Sequence, residues 1–237
     1  MCDYIEDVGN APTSIVHEVN EYRGQERIVI ACTQLPDSRY APKGYTPKEQ
    51  RKILNDWLDF LQTNTKAFRS LRFVSHVPQR LFDAACRQEN LESLYLKWGN
   101  YKDLSALENL HAIKSLYIGS GAGVRDIAPL CSLKSLVVLG VENFKRIEDY
   151  SSLTALTQLE ELHISSGILG RIAMSDIKFL RDMPNLKTFG TGATTIRNKY
   201  SKDELKNFFA SLPHLKNVFV NGTTYNVQDY LDAVAAL

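Results

Sequence analysis

The stretch LENLHAIKSLYI, Leu107 to Ile118, decides how the chain folds. Leu107, Leu110, Ile113 and Leu116 step by three, and the stretch closes on an apolar, any, apolar ending, Leu116-Tyr117-Ile118. A step of three is too tight for a long α-helix and cannot be an alternating strand throughout. It suits a coil: a short strand with two inward apolar residues, reached through a brief return of the 3₁₀ or short α type.

The same pattern recurs in both directions. Its apolar triplets are Phe68–Leu71–Phe73, Leu91–Leu94–Leu96, Ile113–Leu116–Ile118, Leu136–Leu139–Val141 and Leu159–Leu162–Ile164. Looser copies follow at Leu186–Phe189 and Leu215–Val218–Val220. Their first positions lie 23, 22, 23, 23, 27 and 29 residues apart. The step of three precedes other strands too, at Leu130–Leu139, Leu153–Leu162 and Phe209–Val218. No coil of this size can bury its own leucines, so neighbours must stack into a solenoid.

These residues resemble the leucine-rich repeat family, in its short-repeat bacterial form seen in internalin-like proteins. The resemblance covers residues 67–225. It implies an α/β architecture: a right-handed solenoid with a parallel concave sheet. The family's Asn-ladder position falls on Gly99, Gly121, Phe144 and Gly167, with Asn100 and Asn143 one residue away, so a regular Asn ladder is not expected.

Residues 1–66 form an N-terminal α/β cap in this reading. Ile15–Val19 and Ile28–Cys32 read as strands, and Thr46-Pro47-Lys48-Glu49 is a capping box with proline at the first helical position. Ile53, Leu54, Trp57, Leu58 and Leu61 then make one apolar helix face. The absence of a linker-like composition suggests that this region continues the repeat sheet. Toward the other end, Met174 to Met183 and the capping box Ser201-Lys-Asp-Glu204 read as helices stopped by Pro184 and Pro213. Residues 226–237 read as a C-terminal capping helix with Val227, Tyr230, Leu231 and Val234 facing inward.

Composition narrows the function. The 237 residues are 44% hydrophobic and 23% charged, and 28 Lys and Arg against 27 Asp and Glu leave a net charge of +1. That balance supplies no basic excess for nucleic acid. No run approaches the ~20 apolar residues of a spanning helix, so no membrane partner is expected. The acidic opening MCDYIEDVGNAPT lacks the basic start and apolar run of a secretory signal. Cys2, Cys32, Cys86 and Cys131 are scattered, with no zinc spacing and no disulfide framework. Cys86 and Cys131 read as small core residues, and the expected location is a reducing cytoplasm.

Enzyme motifs, metal sites and cofactor sites are not expected. Gly119-Ser-Gly-Ala-Gly123 lacks the Lys-Ser/Thr of a P-loop and the spacing of a dinucleotide fingerprint. It reads as a tight turn at a strand end, as does Gly190-Thr-Gly-Ala-Thr194. His111 and His214 fall in the outer returns and read as solvated or capping residues. A dyad of His163 with Glu161 is conceivable, since alternate strand residues share a face, but no nucleophile accompanies it.

The residues between the inward positions point onto the concave face. The middle column reads Arg72, Tyr95, Tyr117, Gly140, His163, Gly190, Phe219. One flank reads Ser70, Ser93, Ser115, Val138, Glu161, Thr188, Asn217; the other reads Val74, Lys97, Gly119, Glu142, Ser165, Gly192, Asn221. The candidate partner-binding residues are therefore Arg72, Tyr95, Lys97, Trp98, Tyr117, Glu142, Glu161, His163 and Phe219, a composition like that of protein-binding hot spots. The blander reading is that Tyr95 and Tyr117 only stack on each other across strands.

The expected function is a non-catalytic protein-binding module, monomeric when free, and more specifically an immunity protein that neutralises a cognate toxin. The alternatives are a cytosolic adaptor recruiting an enzyme, and an enzyme or small-ligand receptor built on a Glu142, Glu161 and His163 patch.

Overall fold

The computed structural model describes residues 14–42, 44–167, 170–201, 204, 207–209, 211–212, 214–220 and 223–226. Its main sheet runs β1 (Ile15–Val16), β2 (Arg27–Ile30), β3 (Ser70–Val77), β4 (Ser93–Gly99), β5 (Ser115–Ile118), β6 (Val138–Glu142) and β7 (Glu161–Ser165). After β8 (Ile172–Met174), which lies outside this sheet, the order continues through β9 (Thr188–Gly192). β10 (Thr194–Ile196) pairs with β8, and β11 (Asn217–Val220) and β12 (Thr223–Asn226) complete the main sheet. Every pairing in it is parallel except that of β11 with β12.

The step of three has a direct physical cause. Four returns are 3₁₀ turns, at Ser105–Asn109, Ala128–Ser132, Ser151–Ala155 and Lys178–Asp182. In the third, the N–H of Leu153 donates to Tyr150, that of Leu156 to Leu153, and that of Leu159 to Leu156, at 3.0, 2.9 and 3.0 Å. The 3₁₀ period of three residues thus keeps the same face inward at each step. Leu107, Leu130, Leu153 and Leu180 are buried there, against the equally buried strand pairs Leu94/Leu96, Leu116/Ile118, Leu139/Val141 and Leu162/Ile164.

A second regularity went unread in the sequence. Asp103, Asp126, Asp149 and Asp176 each accept the N–H two residues on, at 2.9, 2.8, 2.8 and 3.0 Å. An aspartate does this because its short carboxylate reaches its own backbone two residues ahead.

Aromatic rings replace the Asn ladder. A Cβ on Gly99 would stand 2.5 Å from the Tyr101 ring, and one on Gly121 2.2 Å from the Phe144 ring. Both rings are fully buried, and the Tyr101 hydroxyl donates to the Gly119 carbonyl. The glycines at ladder positions 99 and 121 therefore make room for large rings, Tyr101 two residues on and Phe144 at the ladder position of the next coil.

The N-terminal elements join the sheet directly, β2 pairing with β3 from Arg27↔Ser70 to Ile30↔Phe73. Helix α1 (Pro47–Thr63) begins at the Thr46–Glu49 capping box and buries Ile53, Trp57, Leu58 and Leu61. Buried Gln88 ties it to the first repeat, accepting from Phe68 N at 3.3 Å and donating to Leu61 O at 2.9 Å. A second helix, α2 (Gln79–Ala85), fills the return after β3 with buried Leu81, Phe82, Ala84 and Ala85.

Three expectations need correction. Met174 to Met183 is not a helix: it is the end of β8 followed by a 3₁₀ turn, because Asp176 caps a tight turn at Ile177–Lys178. Cys131 is partly exposed rather than core, its thiol donating to Ser152 O at 3.2 Å, while Cys32 and Cys86 are buried. The strand expected at Ile15–Val19 stops at Val16, and Val19–Glu21 turns as a 3₁₀ helix capped by Glu18 and Glu21. The Ser201–Glu204 capping box forms, Glu204 N donating to Ser201 Oγ at 3.2 Å and Ser201 N to Glu204 Oε2 at 2.8 Å. The capping helix expected over 226–237 lies outside the described residues apart from Asn226, which ends β12.

Candidate protein-binding surface

Strand alternation puts one residue of each inward pair's neighbour on the open face, and the register aligns these in rows. Val29, Arg72, Tyr95, Tyr117, Gly140, His163, Gly190 and Phe219 stand side by side on eight consecutive strands of the sheet. The Ser70, Ser93, Ser115, Val138, Glu161, Thr188, Asn217 row is equally in register. Of the Phe219 side chain nothing is described.

The row is paved, each ring leaning on its neighbour. The Arg72 guanidinium sits 4.4 Å from the Tyr95 ring centroid, a cation–π contact. Tyr95 and Tyr117 stack with centroids 4.8 Å apart and planes 10° from parallel. Tyr117 then covers Gly140, where a Cβ would stand 2.6 Å from its Cδ2. His163 covers Gly190 in the same way, at 2.2 Å from its Nδ1. The glycines in the column are thus floors for rings.

The Tyr117 hydroxyl donates to Glu142 Oε2 at 2.6 Å. Burial, and then that hydrogen bond to a carboxylate, push the Tyr117 phenol well above its ordinary value. Burial raises Tyr95 as well, with the Arg72 charge opposing.

The expected acidic patch divides. His163 Nε2 stands 3.9 Å from Glu161 Oε2, longer than a hydrogen bond. Glu142 stands apart from Glu161: it pairs in register with Ser165, whereas Glu161 pairs with Val138, four residues down the strand. That is about 13 Å of strand. Glu142 belongs instead with Tyr117.

The third column is broken at its start. Between Phe73 and His76 the register of β3 and β4 shifts, so that His76 rather than Val74 continues the pairing, opposite Trp98. The Trp98 and His76 rings meet edge to face at 5.2 Å, and Trp98 remains 37% exposed. Sequence reasoning listed Trp98 but passed over His76, since a bulge leaves no periodic signal. Lys97 is exposed beside them. Among the described residues no group of three His, Cys, Asp or Glu side chains could hold a metal ion, and no helix is long and apolar enough to cross a membrane.

No protein-family model matches the chain, and no curated protein does. Among solved structures it is similar to an internalin (inlF) of Listeria monocytogenes, 20% identical with a TM-score of 0.48, covering 72% of this chain and 53% of that one. An internalin C2 from the same species is 22% identical, with a TM-score of 0.42 over 65% of this chain and 71% of that one. The plant peptide hormone receptor RGFR1, in complex with RGF2, is 12% identical with a TM-score of 0.48, over 69% of this chain and 26% of the receptor. The chain therefore spans about half of the first internalin and about a quarter of the receptor. With one parallel strand per coil, and 3₁₀ returns that step every three residues on buried leucine, this chain is a leucine-rich-repeat solenoid.

Proposed function

We propose that the chain is a non-catalytic protein-binding module that engages its partner on the open face of the sheet. The observation that carries this reading is the in-register row from Arg72 to His163, with its rings held in place before any partner arrives. Aromatic and Arg side chains dominate protein-binding hot spots, and pre-ordering them removes part of the entropy that association otherwise costs. The narrower form of the proposal is an immunity protein that neutralises a cognate toxin. A rigid, ready-made surface suits that task, which demands slow release more than adaptability.

The test is replacement of Tyr95, Tyr117 and His163 together by Ala, followed by calorimetry with the partner purified from the source cell. Affinity should fall at least about a hundredfold. Unchanged affinity in a folded variant moves the interface elsewhere. For the narrower reading, the partner should be an enzyme whose activity a stoichiometric amount of this chain abolishes; an active enzyme in the complex defeats it.

A further inference from the structure

The charges of the repeats fall into two populations. Those just before the strands pair across neighbouring coils: Lys66 with Glu89 at 3.3 Å, Arg69 with Glu92, and Lys187 with Glu160 at 2.7 Å. Those on the open face make no such Lys or Arg to carboxylate pair across coils among the described residues. Among the described residues Arg72 has the Tyr95 ring and no carboxylate, and Lys97 has no ion pair. Glu142 accepts the Tyr117 hydroxyl and has no ion pair with a Lys or Arg among the described residues, and Glu161 faces His163 at 3.9 Å.

These four charges also segregate by sign. Arg72 and Lys97 stand on β3 and β4; Glu142 and Glu161 stand on β6 and β7. Lys97 and Glu142 are two strands apart, about 10 Å, and Arg72 and Glu161 four strands apart, about 19 Å. Those distances are too long for contact, so β5 separates a cationic end from an acidic end. Arg72 has its Cζ over the Tyr95 ring, a contact that uses no N–H of the guanidinium and so leaves its fork for a carboxylate.

Resting on the open face as the binding surface, we infer that its partner is a protein of matching polarity. It presents Asp or Glu over Arg72 and Lys97, and Lys or Arg over Glu142 and Glu161. Covering Arg72, Lys97 and Glu142 with a neutral surface would take charges without an ion-pair partner away from water. A surface of matching polarity satisfies them, adds a cation beside Glu161, and fixes which way round it docks. The polarity also steers approach, so the association rate depends on salt.

Three synthetic peptides of about eight residues, long enough when extended to cross four strands, test this without the natural partner. One carries Glu alone, one Lys alone, and one Glu in its first half and Lys in its second. Backbone amide shifts at low salt are the readout. The Glu peptide should move β3 and β4, the Lys peptide β6 and β7, and the mixed peptide both, binding at least about tenfold more tightly than either. R72Q with K97Q should silence the Glu peptide alone, and E142Q with E161Q the Lys peptide alone. Amide positions elsewhere in the spectrum check that each variant is folded. Equal responses to all three peptides, responses on the 3₁₀ returns, or none at millimolar peptide would overturn the inference. So would concentration-dependent dimerisation lost in the same variants, which gives the face to a second copy. With the natural partner, loss of binding in the triple alanine variant but unaltered binding in the charge variants would sink this inference and spare the open face; no loss in either would sink both.

Discussion

Tyr117 lies flat on Tyr95, 4.8 Å between centroids and 10° between planes. Its hydroxyl is anchored separately, on Glu142 at 2.6 Å. Tyr117→Phe keeps the stack and removes only the anchor. A hydrogen bond to a charged group is worth about 1.5–3 kcal/mol when buried and less when half-exposed, so the cost in urea unfolding should be about 1 kcal/mol. An unchanged midpoint would show that the Glu142 contact does not stabilise the fold.

Gly140 should resist even a methyl group. Its added Cβ would stand 2.6 Å from Tyr117 Cδ2, so Gly140→Ala must lift the ring off its floor and disturb the Tyr95 stack. Overpacking of this kind costs about 1–3 kcal/mol. Tyrosine near-ultraviolet circular dichroism should change along with the melting temperature.

Leu162 is fully buried on β7, and its truncation to Ala should cost about 2–5 kcal/mol in chemical unfolding. A variant that melts like the parent would contradict the inward assignment of that coil.

Ser120 and Ala193 hold positive φ, at 58° and 48°, two residues beyond the last inward position of β5 and β9. A left-handed backbone costs an L-residue about 1–2 kcal/mol, and glycine escapes most of it while gaining freedom in the unfolded chain. Ser120→Gly and Ala193→Gly should each stabilise by about 0.5 kcal/mol, seen as a higher melting temperature. Asn143, at 63°, should gain less, since asparagine tolerates this region.

Alkali should weaken the fold through tyrosines. Burial raises Tyr101 and Tyr117 above the ordinary phenol value near 10, and the Glu142 charge adds to both, most at Tyr117 through the hydrogen bond. Because these folded-state values are raised, their contribution is complete below about pH 10 and is lost as the pH climbs toward them. Melting temperature should therefore fall above pH 10, and less steeply in Tyr117→Phe. Acid works in the opposite sense on Asp103, whose hydrogen bonds from the Ser105 hydroxyl and N–H lower its value. That stability is present above the usual carboxylate range and is lost as pH falls through the depressed value.

The parts of the molecule that repeat were readable, because stacking coils must reuse one pattern. Leu116 and Leu162 could be placed inward, and Tyr95 beside Tyr117, from spacing alone. What escaped was whatever breaks the pattern. His76 reaches Trp98 only through the register shift after Phe73, and β8 and β10 pair in a two-stranded sheet of their own. Met174 to Met183 looks helical because its apolar residues fall at helical spacing, yet Asp176 turns the backbone first. The Asp103, Asp126, Asp149 and Asp176 series recurs with the coils, but a polar residue at a turn leaves no trace in the apolar pattern that marks the repeat. Tyr95 and Tyr117 do stack on each other across strands, and under the proposed function that stack is the surface offered.

Because the sequential strands β4, β5, β6 and β7 share one direction and one register, a coil between them is interchangeable hardware. Duplicating residues 113–135 in phase would insert a strand between β5 and β6 and lengthen the sheet by about 4.8 Å. The solenoid can thus be used as an adjustable ruler, with the gap between its cationic and acidic ends set in whole strands.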